Sequence, residues 1–515
     1  MQTVTTTFDN RAKGFVRPLS WSLLMSFPRN FIDTIDFFTI ESSLIGGTDI
    51  IKGEGNVIQE WDKYEYSDYS GRIISVEWTR QEDFLSSMAM STADLVLDNS
   101  DGYFTPNGGS VIEDFILPYR PIKLFAGFGG ENVPVFIGLT EKMPEVDEKN
   151  KTVRFHCIDF IYSLYNRPIA TTGWIVENAR TDEVLDELLQ LAGLTTNQYN
   201  LDIGFNIIKF AYFPKDTKLG DAISELMEAE MGRFYLDELG VIQFKNRQNF
   251  SNTPVYAFSP NNILDVSTSK QDDIVNVVEI KAQVREVQAN QKFWELQSPV
   301  LIPAGTQVDI WADFEDPVTE VDEPEYITSA TTSSYTTNEV EDGSGLTRNA
   351  DITLDSFSKF AQSYKMTFEN TGAVGVYITT LELFATPAKV VKELYVREQD
   401  DTSVGKYDER PVNIENNFIS REDEAYSKAV ILLTDYAEYG SVLNLSVKGN
   451  MALLMNDCVD VILPDVGIRP HVITKMTNKI INGKFTQLLT VKQREPQYYF
   501  TIEVSLIGGT DVIAP

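Results

Sequence analysis

Short runs in which apolar and polar residues alternate, broken every few residues by Gly, Asn and Asp, fill the first ~165 residues. "GRIISVEWTR" (71–80), "TADLVLDN" (92–99), "PIKLFAGFG" (121–129), "VPVFIGLTEKM" (133–143) and "KTVRFHCIDF" (151–160) read as strands by alternation and β-branched content. "DNSDGYFTPNGG" (98–109) and "GFGGEN" (127–132) read as turns. Period two excludes a helical bundle here, and strands at this spacing call for a barrel or a sandwich.

The texture then changes. "TDEVLDELLQLAG" (181–193) places Val184, Leu185, Leu188 and Leu189 on one helical face, with Thr181 as the expected N-cap and Gly193 as the stop. "TKLGDAISELMEAEMG" (217–232) repeats the design, and "FYLDELGVIQFKNR" (234–247) reads as a hairpin. Strand text resumes with "IVNVVEIKAQVREV" (274–287). Residues 295–387 read as an inserted β-sandwich whose acidic, Ser/Thr-rich middle, 315–345, is expected to be a mobile loop. A long helix is expected over 420–440, with Ser420 and Asp423 in capping-box spacing. More strand text follows over 441–495. The fold class is mainly β with α+β. The expected domains are 1–170, a first barrel; 171–247, small α+β; 248–294 with 388–499, a second barrel including the helix; 295–387, the insert; and 500–515, a tail.

At 515 residues, with 43% hydrophobic residues, several cores are expected. Acidic residues number 76 against 43 basic, a net charge of −33, which argues against wrapping DNA or docking on anionic lipid. It suits a soluble surface, or a channel wall that DNA passes without sticking. Cys157 and Cys458 fall in different segments and read as buried thiols. No apolar run reaches transmembrane length, and "SWSLLMSF", behind Arg11, Lys13 and Arg17, does not read as a signal peptide.

No catalytic signature stands out. His156 and His471 are the two histidines, both read as structural. HExxH, GxSxG, P-loop and GxGxxG motifs are missing, and "SFSK" (356–359) lacks the companions of an SxxK site. "DNSDG" (98–102) fails calcium-loop spacing and reads as an Asx turn. The tyrosine clusters at 61–71 and 497–500 read as an interface or a half-buried strand. The chain is therefore not expected to be an enzyme, and no metal or cofactor is expected.

"YSDYSGRIISVEWTR…SMAMSTADLVLDNSDGYFTP" (66–106) resembles the opening of the tail hub and baseplate hub proteins of long-tailed phages, and the helical stretch 181–247 is similar to their next domain. The likeness covers about 60–290 and 390–495; the insert and the tail depart from it, and no C-terminal lysin extension is expected. The resemblance implies a structural virion protein at the tail tip, made in the host cytoplasm. It implies a homotrimer in which two barrels per chain form a ring of six, adapting a hexameric tail tube or distal tail ring to a threefold tip. Tail-tip or fibre proteins would be further partners, and DNA would pass without specific binding or membrane insertion. Two other classes stay open: a receptor- or glycan-binding tail-tip protein using the insert on a host surface glycan, and a polysaccharide-cleaving enzyme.

One peptide occurs twice. "FTIESSLIGGTDII" (38–51) and "FTIEVSLIGGTDVI" (500–513) agree at twelve of fourteen positions. The alternation about Gly-Gly suits a β-hairpin, but equivalent strands need share only a pattern. Identity of letters suggests that both copies meet the same partner surface. Phe38, Ile40, Leu44, Ile45, Gly46 and Gly47, with Phe500, Ile502, Leu506, Ile507, Gly508 and Gly509, are the expected docking residues, adding a strand to a sheet edge on a hexameric ring.

Overall fold

The computed structural model describes residues 1–13, 17–27, 66–82, 88–169, 174–214, 217–247, 253–268, 274–325, 332–359, 362–437, 442–463, 467–493, 499–500 and 512–513. The protein is mainly β, with short helices between sheets.

The first barrel-like sheet runs Leu19–Met25, Pro121–Phe128, Glu131–Thr140, Thr152–Ile158, Met88–Asp98, Ile73–Glu82 in spatial order, antiparallel throughout. Alternation puts Leu95 and Leu97, Leu124 and Ala126, and Val153 and Phe155 inward on one core. The strands Pro121–Phe128 and Glu131–Thr140 join through Gly129 (φ 68°) and Gly130 (φ 90°), the positive-φ pair that a type I′ hairpin needs. The helix Thr6–Lys13 lays Phe8 and Ala12 into this core.

The second curled sheet runs Ile263–Thr268, Val442–Val447, Lys484–Gln493, Gly467–Ile481, Cys458–Leu463, Tyr256–Phe258. It packs on its own core of Phe258, Leu445, Val459, Ile473, Leu489 and Val491. The two sheets are one hydrogen-bonded surface, because Gly467–Ile481 also pairs with Ile73–Glu82 from Lys475↔Gln81 to Ile481↔Ser75. Ile480 and Phe485, at the end of that hairpin, pack into the first core. Arg17 ties the same place: its guanidinium lies over Phe128 (4.5 Å) and Phe485 (5.8 Å) and donates to the Lys448 and Gly449 carbonyls.

Between them in sequence lies an α+β core, whose hairpin strand Arg233–Leu236 pairs with Met88–Asp98 of the first sheet. The helices Thr181–Leu191 and Leu219–Glu230 bury the expected faces, Val184, Leu185, Leu188 and Leu189 on one and Ile223, Leu226 and Met227 on the other. Gly193 (φ 85°) ends the first as expected, with the Leu194 N–H donating to the Leu189 carbonyl. Two cap expectations are corrected. Arg180, not Thr181, is the N-cap residue: Glu183 accepts from the Arg180 N–H at 2.8 Å, while Thr181 is buried and donates to Glu230. At the helix Glu422–Tyr436 the N-cap residue is Arg421 with no side-chain cap, and the Ser420 hydroxyl donates to the Ile207 carbonyl at 3.1 Å instead.

Packing distributes 248–294 and 388–499 over two cores. Tyr256, Phe258 and the strands from Val442 onward build the second barrel, whereas Val278, Ile280, Leu394, Ile414 and the helix residues Ala425, Ala429 and Leu432 share the core of the α+β unit. Those strands explain the split: Val277–Val287 pairs with Val376–Gln399 and Pro411–Glu415, forming a sheet separate from the barrels.

The insert has its own core, including Ile302, Val318, Tyr335, Tyr364, Phe368, Ile378 and Leu383. One sheet pairs Gln291–Glu295, Val300–Ile302, Val318–Val321 and Ser334–Asn338 with the 24-residue strand Val376–Gln399. The other is Gln307–Asp313, Ser363–Asn370, Ile352–Lys359. The middle expected to be a loop thus carries two strands; Val318 and Tyr335 bury while Thr336 and Thr337 supply β-branched backbone bias inside a polar text.

Candidate functional site

Of the expected docking residues, Phe38, Ile40, Leu44, Ile45, Gly46, Gly47, Ile502, Leu506, Ile507, Gly508 and Gly509 lie outside the described residues. Phe500 is described through its backbone. Tyr499 pairs with Val512 and Phe500 with Ile513, in parallel. A tight antiparallel hairpin does not make this parallel contact. The flanks locate both copies in the architecture. The first falls between Leu19–Met25 and Ser67–Asp68, which pair with one another in the first barrel, Leu24 opposite Asp68 and Met25 opposite Ser67. The second follows Lys484–Gln493, the last strand of the second barrel. Each barrel therefore carries one copy in its chain path.

The barrels and the α+β unit meet at a cleft of about 450 Å³, lined among others by Thr3, Arg80, Ser91, Tyr235, Glu238 and Met455. Arg80 follows Val76 and Trp78 on the inward parity of its strand and is buried. Its guanidinium pairs with Glu238, from the turn of the hairpin Arg233–Leu236/Ile242–Lys245. Burial lowers the Arg80 pKa to about 10, against the pull of Asp159, Asp237 and Tyr235. Asp159 is also buried; it accepts from the Ser91 N–H (2.6 Å) and, capping the helix Phe160–Tyr165, from the Tyr162 N–H (3.0 Å). Burial raises its pKa to about 6 in spite of those donors and of Arg80. The Arg80–Glu238 pair joins the first barrel to the α+β unit, and Asp159 joins the strand of Ser91 to the helix Phe160–Tyr165. This clamp was not anticipated from the sequence, although a basic residue at the inward position of "SVEWTR" is its signal.

The remaining chemical candidates are also held by structure. His156 on the first barrel faces Asp94 across the strand pair, with Glu145 at 3.4 Å. His471 is buried, its Nδ1 2.9 Å from the Arg469 carbonyl oxygen, and burial lowers its pKa. The 98–102 stretch forms Asx turns, Asp98 accepting from the Ser100 N–H and Asp101 from the Tyr103 N–H, with Arg72 forked on Asp101 at 2.8 and 2.7 Å. Buried Glu230 accepts from Thr181 Oγ1, the Phe205 N–H and the Asn206 N–H at 2.9, 3.0 and 2.8 Å. Cys157 and Cys458 are buried thiols outside any disulfide. Tyr69, from the first tyrosine cluster, packs in the first core against Phe27 and Phe104.

No protein-family model matches the sequence, and no curated protein matches it. Among solved structures, the chain is similar to the 43 kDa tail protein of prophage MuSo2 from Shewanella oneidensis, with 13% identity, 82% of this chain and 94% of that chain covered, and a TM-score of 0.44. It is similar to the tail protein from Neisseria meningitidis MC58 (9% identity, 83% and 93% covered, TM-score 0.46). It is also similar to prophage tail protein gp18 from Listeria monocytogenes EGD-e (9% identity, 84% and 94% covered, TM-score 0.41). Solved phage tail proteins are thus among the structures this chain is similar to, and phage tail hubs are the family whose motifs its sequence resembles.

Proposed function

We propose that the chain is a structural tail hub of a long-tailed phage or a related tail-like particle. Three copies form a ring that joins a hexameric tail tube or distal tail ring to a threefold tip. The observation that carries this reading is the pairing of Lys475–Ile481 with Ser75–Gln81, which sets two barrel-like sheets side by side in one chain. Three such chains supply six barrels, the number a sixfold partner presents. One copy of the repeated peptide per barrel gives six identical contacts in that ring, and weak docks multiplied this way hold firmly. Carboxylates in excess over Lys and Arg, part of the −33 net charge, keep the channel wall from retaining DNA.

The test is the native mass of the purified full-length chain at micromolar concentration. A trimer is the expected result; a monomer under all conditions, or a ring of another order, overturns the proposal.

A further inference from the structure

The outer face of the three-stranded sheet in the insert has a composition the fold does not require. In the edge strand Gln307–Asp313, Ile310 and Ala312 point into the core while Asp309, Trp311 and Asp313 point out. Trp311 is 50% exposed and, among the described residues of the insert, the one aromatic side chain of the exposed large hydrophobic residues. Directly across from it is Lys365, and Ser358 stands beyond Lys365 on the far strand. In the next outward row Asp309 faces Thr367, with Ser356 beyond. Asp309 is fixed in place by two neighbours: Lys365 Nζ lies 2.8 Å from Oδ2, and Thr367 Oγ1 donates to Oδ1 at 2.8 Å. Both contacts hold its carboxyl below the usual carboxylate range, so it is an acceptor at neutral pH.

We propose that this face, centred on Trp311, Asp309 and Lys365, binds a neutral glycan. A pyranose ring has an apolar C–H face that stacks on an indole and hydroxyls at its rim that need paired acceptors and donors. The sheet offers the indole, a pre-positioned carboxylate, an ammonium and the Ser356 and Ser358 hydroxyls on one surface. A protein partner would demand a wider apolar centre than a single ring. An anionic polymer is disfavoured because Asp309, Asp313 and Glu369 outnumber Lys365 here and the whole chain carries −33.

The site stands independently of the hub reading, and its test does not use oligomeric mass. Full-length protein is applied to an array of neutral gluco-, galacto-, manno-, rhamno- and N-acetylhexosamine oligosaccharides, with poly(glycerol phosphate) as the anionic probe. Binding to at least one neutral glycan is expected. Trp311→Ala should weaken it roughly tenfold or more, and Asp309→Asn should weaken it less, with melting temperatures unchanged because both side chains lie on the surface. Leu346→Ala, at another exposed position of the insert, should leave binding intact. Absence of neutral-glycan binding, binding to poly(glycerol phosphate) alone, or undiminished binding by Trp311→Ala overturns the proposal.

Discussion

Trp78 of the first barrel and Phe485 of the second barrel's hairpin lie nearly parallel, ring centroids 6.2 Å apart with an interplanar angle of 19°. Phe485 also meets Phe128 edge-on at 6.2 Å. The joint between the barrels is thus a packed aromatic core in addition to a run of backbone hydrogen bonds.

Phe485→Ala removes the ring that bridges the two cores. Truncating a buried Phe costs about 3–5 kcal/mol, and the loss should appear as a lowered denaturation midpoint shared by both barrels. Unfolding of the second barrel alone, with the first unchanged, would show that the joint does not couple them.

Glu238→Ala strands the Arg80 guanidinium in the cleft. Breaking a buried ion pair from one side costs about 3–5 kcal/mol, and replacing both partners by apolar residues restores most of it. Chemical denaturation of Glu238→Ala and of the Arg80→Met, Glu238→Leu pair checks this. Equal destabilisation by the single and the double change would rule out the pairing as its cause.

Asp159 gives a pH dependence. Its carboxyl is raised from 3.8 to about 6 in the folded protein, so the folded state holds the proton more tightly than the unfolded chain. The associated stability is full below about pH 4 and is lost as pH rises through about 6. At about 1.4 kcal/mol per unit, the ceiling on this contribution is roughly 3 kcal/mol. Other carboxylates titrate in the same range, so the readout is the difference between the wild type and Asp159→Asn. That difference should change between pH 4 and 7, and a constant difference would remove Asp159 from the account.

Excising the insert tests its independence. Val287 and Ala388 are paired neighbours at its root, so replacing 288–387 by a two-residue turn closes an ordinary antiparallel hairpin. A soluble protein with the remaining cores intact is expected, by circular dichroism and melting. Aggregation would mean that the insert is needed for folding.

Leu506→Asp with Ile507→Asp, or truncation after Tyr499, should leave the fold unchanged and weaken attachment to a purified hexameric tail ring. Normal assembly of such variants into tails would sink the docking proposal.

Local features were the most readable in the sequence. Alternation located most strands of the two barrels but not Leu19–Met25, Tyr256–Phe258 or Ile263–Thr268, and Gly129–Gly130 and Gly193 marked a turn and a helix end because positive φ selects glycine. Which sheet a strand joins was not legible. Val278 and Ile280 alternate like the strand residues of the second barrel, but their partners are Glu398 and Val396, far along the chain, and those pull them into another core. The strands Val318–Val321 and Ser334–Asn338 hid in acidic and Thr-rich text because only a few of their side chains are apolar. Arg80 was hidden by its charge, since burial there depends on Glu238, 158 residues away.

The strand Val376–Gln399 runs without interruption from the sandwich into the sheet beside the α+β core, paired along the way with residues 277–287. A swivelling tether at the root of the insert would require that ladder to break. The sandwich is therefore tied to that sheet by a two-stranded ribbon with one register shift, at Val284/Arg285. In any symmetric assembly of this chain, the Trp311 faces would point along fixed axes at fixed spacing. If those faces bind sugar as proposed, such an array would select surfaces whose sugars recur at the matching interval, a selectivity of lattice that a single copy on a flexible linker would not have.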